Sequence, residues 1–361
     1  MRTILLFAIT CCLLVSCGTK TKQPAQTAKA PDPTTAPFYY LHLKGKIGDE
    51  PITMDLIKSG PWVFRGYYTY DKIGEPIMIW GSPEGDKIIL YENTDRNEER
   101  LFSGKLDSLG GFKGKWRGKG TSYPFELKSS LENAVALDVF YATDSVPLFP
   151  GNPNTPVGQA SNSIVWPATG TDADIAGFVR LNITEGRQIT DPQKYLRRDI
   201  DSFLATYKVN EKDLDTSNGI PPTASWGADG DMKIVWNNYP LLVLESFSYD
   251  FTGGAHGNYG AHYTVLDLEK KKVLKVEDFL KPEYKEALIP ELAKSFRKIY
   301  KLEDGERIET MLLVKEILPN DNFLVTDKGI GFSYTPYEIG PYALGQVMLF
   351  VPFKDIKPLL K

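Results

Sequence analysis

Cysteine and histidine are scarce in this sequence, and their scarcity excludes several kinds of chemistry. All three cysteines lie within the first seventeen of the 361 residues, so the remainder of the chain carries no thiol. This excludes disulfide bonds, cysteine-bound metals and a cysteine nucleophile from the folded part of the protein. The histidines are His42, His256 and His262, and no two of them form a His-x₃-His pair.

A strong excess of one charge and long hydrophobic runs are absent as well. The formal net charge is −4 and the isoelectric point is about 5.6, whereas a nucleic-acid-binding protein shows a basic stripe. After the N-terminus, no segment reaches the run of about 18 apolar residues that a membrane-spanning helix needs. The apolar fraction of 42% is enough for hydrophobic cores, and the length suggests about two domains.

The first residues resemble a bacterial lipoprotein signal peptide. Arg2 gives a positively charged start, an apolar run of about a dozen residues follows, and the run ends in Leu14-Val15-Ser16-Cys17. This ending is similar to the lipobox, in which the peptidase cuts before the cysteine and the cysteine is then acylated. We therefore expect residues 1–16 to be a signal peptide and Cys17 to carry the lipid. An ordinary secretory signal with an incidental cysteine is the alternative.

A tether is expected between the lipid and the folded part. Residues 17–37 contain four prolines and no large apolar side chain, a composition that favours a disordered linker. Gly18 takes the place of the aspartate that retains some lipoproteins in the inner membrane, and no early acidic cluster follows. We therefore expect anchoring to the outer membrane on its periplasmic side, with the lipid as the only membrane contact.

Residues 38–130 are predicted to form an all-β domain. Stretches rich in aromatic and β-branched residues alternate with glycine-containing turns about every ten residues, which is typical of a small antiparallel β meander or barrel. The expected strands are 62–70, 77–80, 87–91, 101–106, 111–116 and 123–127. Residues 66–74 and 112–116 resemble a small all-β module common in Bacteroidetes-type lipoproteins, a resemblance that implies no activity.

Residues 131–361 are predicted to form an α+β domain with an antiparallel sheet and two or three helices, so the fold class of the chain is α+β. Asp191 followed by Pro192 marks a helix start, and a second helical zone covers 282–300, where Pro290 should break or kink it. A long loop or an irregular edge is expected at 146–167, and a short helix at 306–317. Strands are expected at 134–141, 178–183, 232–236, 241–251, 323–325, 330–334 and 347–352.

The most informative stretch is Thr252-Gly253-Gly254-Ala255-His256-Gly257. A strand enters it, the Gly-Gly pair turns with positive φ, and a second strand leaves. Three motifs accompany it: Asp267-Leu268, Asp278-Phe279-Leu280 and Pro336-Tyr337-Glu338-Ile339. Together they resemble the extracytoplasmic domain of the lysozyme-sensing anti-sigma factor RsiV, a domain that also precedes the catalytic domain of some peptidoglycan deacetylases. The resemblance covers about residues 132–361.

This resemblance implies a binding function. In the sensing member the domain binds lysozyme, and in the deacetylases the chemistry lies in a separate domain with paired carboxylates and a His-x₃-His metal motif. This sequence lacks that motif. We therefore expect an extracytoplasmic binding protein without catalysis, cofactor or metal, whose partner is a lysozyme-like protein or peptidoglycan.

Two chemical roles are open to His256. With His262 and a carboxylate from Asp250 or Asp267 it could bind a metal, which needs three or four ligands. With Ser248 and Asp250 it could act as a general base, and the protein would then be a cell-wall hydrolase or a deacetylase-like enzyme.

Two further interpretations of the loop involve no chemistry. The residues most favour a structural role, in which the imidazole hydrogen-bonds the loop backbone. The other is ligand contact, because loops on rigid scaffolds often carry binding residues. The expected ligand-binding residues are Gly253, Gly254, His256, Asn258 and Tyr259. Tyr337 and Tyr342 are expected to pack in the core and its turns.

Overall fold

The computed structural model describes residues 23–93, 99–209, 219–303 and 306–361. The expected signal peptide and Cys17 lie outside these residues. Within them, no helix has both the length and the apolar character to cross a membrane. The fold is α+β, as predicted: a closed β-barrel is followed by two antiparallel or mostly antiparallel sheets and short helices.

Eight antiparallel strands form the barrel. They are β1 (Tyr39–Ile47), β2 (Glu50–Gly60), β3 (Val63–Tyr70), β4 (Ile77–Glu84), β5 (Lys87–Glu92), β6 (Leu101–Leu106), β7 (Phe112–Gly118) and β8 (Thr121–Ser129). Strand β1 pairs with both β2 and β8, which closes the barrel. Its interior is a packed core that includes Leu43, Met54 and Phe102. The sequence predicted β3 to β8 and missed β1 and β2, where polar residues such as His42 and Asp55 interrupt the apolar pattern.

The second part of the chain is built on a six-stranded sheet. Its strands are β9 (Leu137–Pro147), β10 (Val157–Pro167), β11 (Trp226–Asn238), β12 (Leu241–Phe251), β13 (Asn258–Asp267) and β14 (Lys272–Val273), in the spatial order 14-13-12-11-10-9. Neighbouring strands are antiparallel except β10 and β11, which are parallel. The loop or irregular edge predicted at 146–167 is wrong over most of its length, because β10 is an inner strand that pairs with β9 along its whole length and with β11 on its other side.

Two helices connect the parallel strands β10 and β11 and pack against one face of the sheet. The strand predicted at 178–183 is wrong: α1 (Ala173–Ile183) is a helix, capped by Asp172 and buried at every fourth residue. Helix α2 (Pro192–Val209) begins where predicted, and the Asp191 carboxylate accepts backbone N–H bonds from its first turn. Its buried residues are Tyr195, Leu196, Ile200, Leu204 and Tyr207.

The C-terminal part adds three short helices and a three-stranded antiparallel sheet. The elements are α3 (Val276–Phe279), α4 (Tyr284–Ala287), α5 (Ile289–Tyr300), β15 (Phe323–Val325), β16 (Gly329–Tyr334) and β17 (Val347–Pro352). Pro290 lies in the first turn of α5 and separates it from α4, as predicted. The helix expected at 306–317 is reduced to one 3₁₀ turn, Ile308–Thr310.

Asn322 joins the three-stranded sheet to β13. Its side-chain Oδ1 accepts the N–H of Tyr263 at 2.9 Å, and its Nδ2 donates to the carbonyl of Ala261 at 2.8 Å. Its own carbonyl accepts the N–H of Ser333 at 2.8 Å. The Asn322 amide therefore takes the place of a neighbouring strand along this edge of β13.

We expect Asn322→Ala to lower the free energy of unfolding by about 2 kcal/mol, because two backbone groups of β13 lose their partners. Urea unfolding followed by circular dichroism measures the change. Asn154→Ala, at an exposed loop position, is the control and should change stability by less than about 0.5 kcal/mol. Equal effects of the two substitutions would show that Asn322 does not hold the sheets together.

Candidate functional site

Residues 252–257 form the turn between β12 and β13 that the Gly-Gly pair predicted. Gly253 and Gly254 have φ angles of +99° and +93°, a conformation that glycine adopts without strain. Gly257 is buried against the ring of Tyr249, and a Cβ at this position would lie 2.5 Å from that ring. These glycines therefore fix the loop and place His256 on the surface.

His256 belongs to a group of four rings, which we call the aromatic cluster: His256, Tyr259, Tyr337 and Tyr342. The imidazole stacks on the Tyr342 ring, with 4.1 Å between centroids and 26° between planes. Tyr259 meets Tyr342 edge-on at 5.7 Å, and Tyr337 lies tilted 5.7 Å from Tyr342. Offset and edge-on arrangements of this kind are the favourable ones for aromatic rings.

Hydrogen bonds to the carbonyl of Gly257 hold the cluster in place. This oxygen accepts the Tyr342 hydroxyl at 2.8 Å and lies 3.0 Å from His256 Nδ1. Because a carbonyl only accepts, Nδ1 carries a proton. The other ring nitrogen, Nε2, lies 3.5 Å from the Tyr337 hydroxyl. Both nitrogens of His256 thus face uncharged groups.

Tyr337 is held on the surface by a strained turn. Its φ of +71° is uncommon for a residue with a side chain, and such strain clusters at functional sites. The turn is fixed by Glu338 Oε2, which accepts the N–H of Thr335 at 2.9 Å. Tyr337 lies in this turn and not in the core, because the residue is 55% exposed. Tyr342 is partly buried against the loop of His256.

An open polar cavity of about 420 Å³ lies where β12 and β13 meet the segments before β15 and after β16. We call it the polar trough. Thr335 and Glu338 on its wall flank Tyr337 in the sequence, and Glu338 Oε1 accepts a hydrogen bond from Asn320 at 2.7 Å. Its polar lining residues are Ser246, Ser248, His262, Asn320, Asp321, Asn322, Thr335 and Glu338.

The structure brings together two of the five predicted ligand-binding residues. His256 and Tyr259 belong to the aromatic cluster, Asn258 is exposed at the start of β13, and Gly253 and Gly254 shape the turn. These assignments stay predictions. His262 lines the polar trough instead of joining His256, and within the described ranges no three His, Cys, Asp or Glu side chains lie close enough to hold a metal.

A buried group of charges between the barrel and the six-stranded sheet was missed in the sequence. Lys233 on β11 lies 2.7 Å from Asp231 Oδ1 and 2.7 Å from Glu245 Oε1. Glu245 also accepts the hydroxyl groups of Tyr67 on β3 and of Tyr263. We call this group, with Arg65 and Asp229, the Lys233 network.

Arg65 extends the Lys233 network from the barrel. It pairs with Asp231 and lies 3.2 Å from Asp229, so β3 is docked on the sheet through charged contacts. Burial works to lower the pKa of Lys233, but the carboxylates of Glu245 and Asp231 outweigh it and raise that pKa. Lys233 therefore stays charged. A lysine and a glutamate in the middle of apolar strands were the sequence signal for this network.

Two segments of the chain match models of known protein families. Residues 277–354 match a protein family of unknown function, DUF3298, and residues 138–259 match the family described as Deacetylase PdaC. The first match contains Tyr337 and Tyr342, and the second contains His256 and Tyr259. The aromatic cluster is therefore assembled from both matched segments, whereas the barrel lies outside both.

Solved structures of the DUF3298 family resemble this chain. A family member from Bacteroides fragilis is 23% identical, with a TM-score of 0.56 over 63% of this chain and 94% of its own length. At this identity the likeness concerns the fold. A Pseudomonas aeruginosa member is 21% identical, with a TM-score of 0.44 over 64% of this chain and 97% of its own. No curated protein matches the chain.

Proposed function

We propose that the protein is a non-catalytic binding protein of the bacterial cell envelope that recognises cell-wall glycan through the aromatic cluster. The observation that carries this proposal is the group of three rings at the surface, in which His256 stacks on Tyr342 and the exposed Tyr337 lies next to both. Sugar rings offer apolar faces for stacking and hydroxyl groups for hydrogen bonds. The aromatic cluster supplies ring faces for stacking, and the tyrosine hydroxyl groups and the polar trough supply hydrogen-bonding partners.

The surroundings of His256 support binding over catalysis. A histidine that acts as a general base is usually oriented by a carboxylate and aimed at a nucleophile. Here the imidazole is oriented by the carbonyl of Gly257 and faces the hydroxyl of Tyr337. Its stacking on Tyr342 fixes a flat surface, which is what a binding platform needs. A deacetylase-like or hydrolytic enzyme is the competing function, and the match of residues 138–259 to the Deacetylase PdaC family favours it.

The proposed location rests on the N-terminal sequence. The lipobox-like ending at Cys17 and the proline-containing tether favour a lipid anchor, and the resemblance to the extracytoplasmic domain of RsiV agrees with it. We propose attachment to the outer membrane with the folded part in the periplasm. Peptidoglycan lies in this compartment, within reach of a tethered domain.

We expect Tyr337→Ala to weaken binding to peptidoglycan about 10-fold, because it removes an exposed stacking surface from the cluster. Co-sedimentation of the purified full-length protein with peptidoglycan sacculi measures the affinity. The matched control is Tyr123→Ala, which removes a 47% exposed tyrosine from the barrel and should leave binding unchanged.

Three results would contradict this function. The first is that the wild-type protein does not sediment, or that both tyrosine variants bind as the wild type does. The second is saturable binding of a lysozyme, lost in Tyr337→Ala, which would assign a protein partner to the cluster. The third is release of acetate or reducing sugar from peptidoglycan that His256→Ala abolishes, which would assign the enzyme.

A further inference from the structure

A second cavity, of about 370 Å³, lies between the barrel and the six-stranded sheet, and no residue of the His256 loop lines it. Barrel strands β1 to β3, the end of β11 and the turn between β15 and β16 enclose it. Its floor is buried and includes His42, Asp55 and Asn237, whereas Asn238 and Lys328 at its mouth are exposed. This volume lies within the range of small-molecule sites, about 300–1,000 Å³, which occur preferentially where two units meet.

A chain of hydrogen bonds fixes the orientation of His42. The Asn237 amide is set by Val135, whose N–H donates to Asn237 Oδ1 at 2.8 Å. Asn237 Nδ2 then donates to the Tyr40 hydroxyl at 2.9 Å, and this hydroxyl donates to Asp55 Oδ1 at 2.6 Å. Burial and the Asp55 carboxylate raise the pKa of Tyr40 and keep it protonated. Asp55 Oδ1 also accepts a hydrogen bond from His42 Nδ1 at 2.7 Å, so Nδ1 carries the proton.

The opposite nitrogen of this ring, His42 Nε2, has no hydrogen-bond partner among the described residues, although it is buried. The His42 side chain is 1% exposed. Burying a polar atom without a partner costs about 1 to 3 kcal/mol, and native proteins satisfy most such atoms. Because Nδ1 is bonded to Asp55, Nε2 of the neutral imidazole is an acceptor, and His42 lines the cavity.

We propose that this cavity binds a small, uncharged ligand that carries hydroxyl groups, such as a single sugar unit, with a ligand hydroxyl donating to His42 Nε2. The charges around the cavity nearly balance, with Lys44 and Lys328 against Asp55, Asp71 and Asp327, which favours an uncharged ligand. The lining includes the short polar residues Thr53, Thr69 and Asn238 and the aromatic residues Tyr67 and Trp236.

The proposed ligand would bridge two parts of the fold. His42 and Thr69 belong to the barrel, whereas Asn238 and Lys328 belong to the part of the chain that carries the aromatic cluster. A ligand that binds only when these parts are docked stabilises the docked state by mass action. This inference does not depend on the function proposed for the aromatic cluster.

Isothermal titration calorimetry of the purified full-length protein with N-acetylglucosamine tests the proposal. Asn238→Trp places a large ring at the exposed mouth, and we expect it to weaken binding about 10-fold or more. The same substitution at exposed Asn154, Asn154→Trp, is the matched control and should bind as the wild type does. His42→Gln removes the Nε2 acceptor and should weaken binding to a similar extent. Because Asn238 is on the surface, its variant stays informative if His42→Gln does not fold.

Charged sugars and the aromatic cluster supply the decisive comparisons. Glucosamine, which carries an ammonium group, and glucuronate, which carries a carboxylate, should bind about 10-fold more weakly than N-acetylglucosamine, because either charge is unmatched in the cavity. The proposal is overturned if N-acetylglucosamine gives no saturable heat, or if a charged sugar binds better. It is also overturned if Tyr337→Ala abolishes the heat while Asn238→Trp leaves it unchanged, since the sugar would then bind at the aromatic cluster alone.

Discussion

Replacing Lys233 by methionine is expected to lower the free energy of unfolding by about 3 to 5 kcal/mol. Lys233 is 5% exposed, and its ammonium group lies 2.7 Å from carboxylate oxygens of both Asp231 and Glu245. Methionine has a similar length and fills much of the same space, so the main change is loss of the charge. Glu245 is 1% exposed, and its carboxylate would stay buried without its cation. Denaturant unfolding at neutral pH measures the loss.

Lys72→Met is the matched control for this substitution. Lys72 pairs with Glu50 at 2.6 Å on the surface, where both side chains are about half exposed, and such pairs contribute less than about 1 kcal/mol. The double variant Lys233→Met with Glu245→Gln should regain part of the loss, because it removes the uncompensated carboxylate. If Lys233→Met and Lys72→Met lose the same free energy, the Lys233 network does not stabilise the docking of the barrel.

The second large effect is expected in the barrel itself, where Gly81→Ala should lower the free energy of unfolding by about 3 kcal/mol. Gly81 lies on β4 opposite Leu90 of β5. A Cβ at this position would lie 1.8 Å from the carbonyl oxygen of Ile89, so the two strands would have to separate. Thermal and urea unfolding followed by the fluorescence of the barrel tryptophans measure the change.

Gly177→Ala provides the contrast for the same chemical change. Gly177 lies within α1, and a Cβ there has no atom within 4 Å. Alanine is the better helix former, so this variant should gain about 0.5 to 1 kcal/mol. If Gly81→Ala leaves the free energy of unfolding unchanged, strands β4 and β5 can move apart without cost. Their close contact at Gly81 would then not stabilise the barrel.

Local sequence signals predicted many of the secondary-structure elements correctly. Asp191-Pro192 marked the start of α2, Pro290 separated α4 from α5, and Gly253-Gly254 marked the turn between β12 and β13. Each of these signals acts through the backbone of a few neighbouring residues, which is why no tertiary information was needed. The prediction failed where the pattern was ambiguous. Residues 178–183 are apolar enough for a strand, yet burial at Ile175, Val179 and Ile183 follows the helical repeat.

The candidate sites depended on contacts between distant parts of the chain. His256 and Tyr337 are 81 positions apart and meet only because the three-stranded sheet lies along β13. The sequence marked His256 as the sharpest residue and predicted that Tyr337 packs in the core or its turns, since an aromatic residue gives no sign of which ring it will face. His42 drew attention only as one of three histidines, because its partner Asp55 lies on β2 and Asn237, which bonds Tyr40, lies on β11.

The sequence by itself determined the fold class, most of the strands and helices, and the glycine turn that carries His256. The lipid site expected at Cys17 stays a prediction. The tertiary structure alone decided that the barrel closes through β1 and β8, that Lys233 is buried among carboxylates, and that the rings of two distant segments form one surface. The physical reason is that periodicity and turn residues report local conformation and burial. Strand pairing and sheet packing choose which buried or exposed side chains become neighbours.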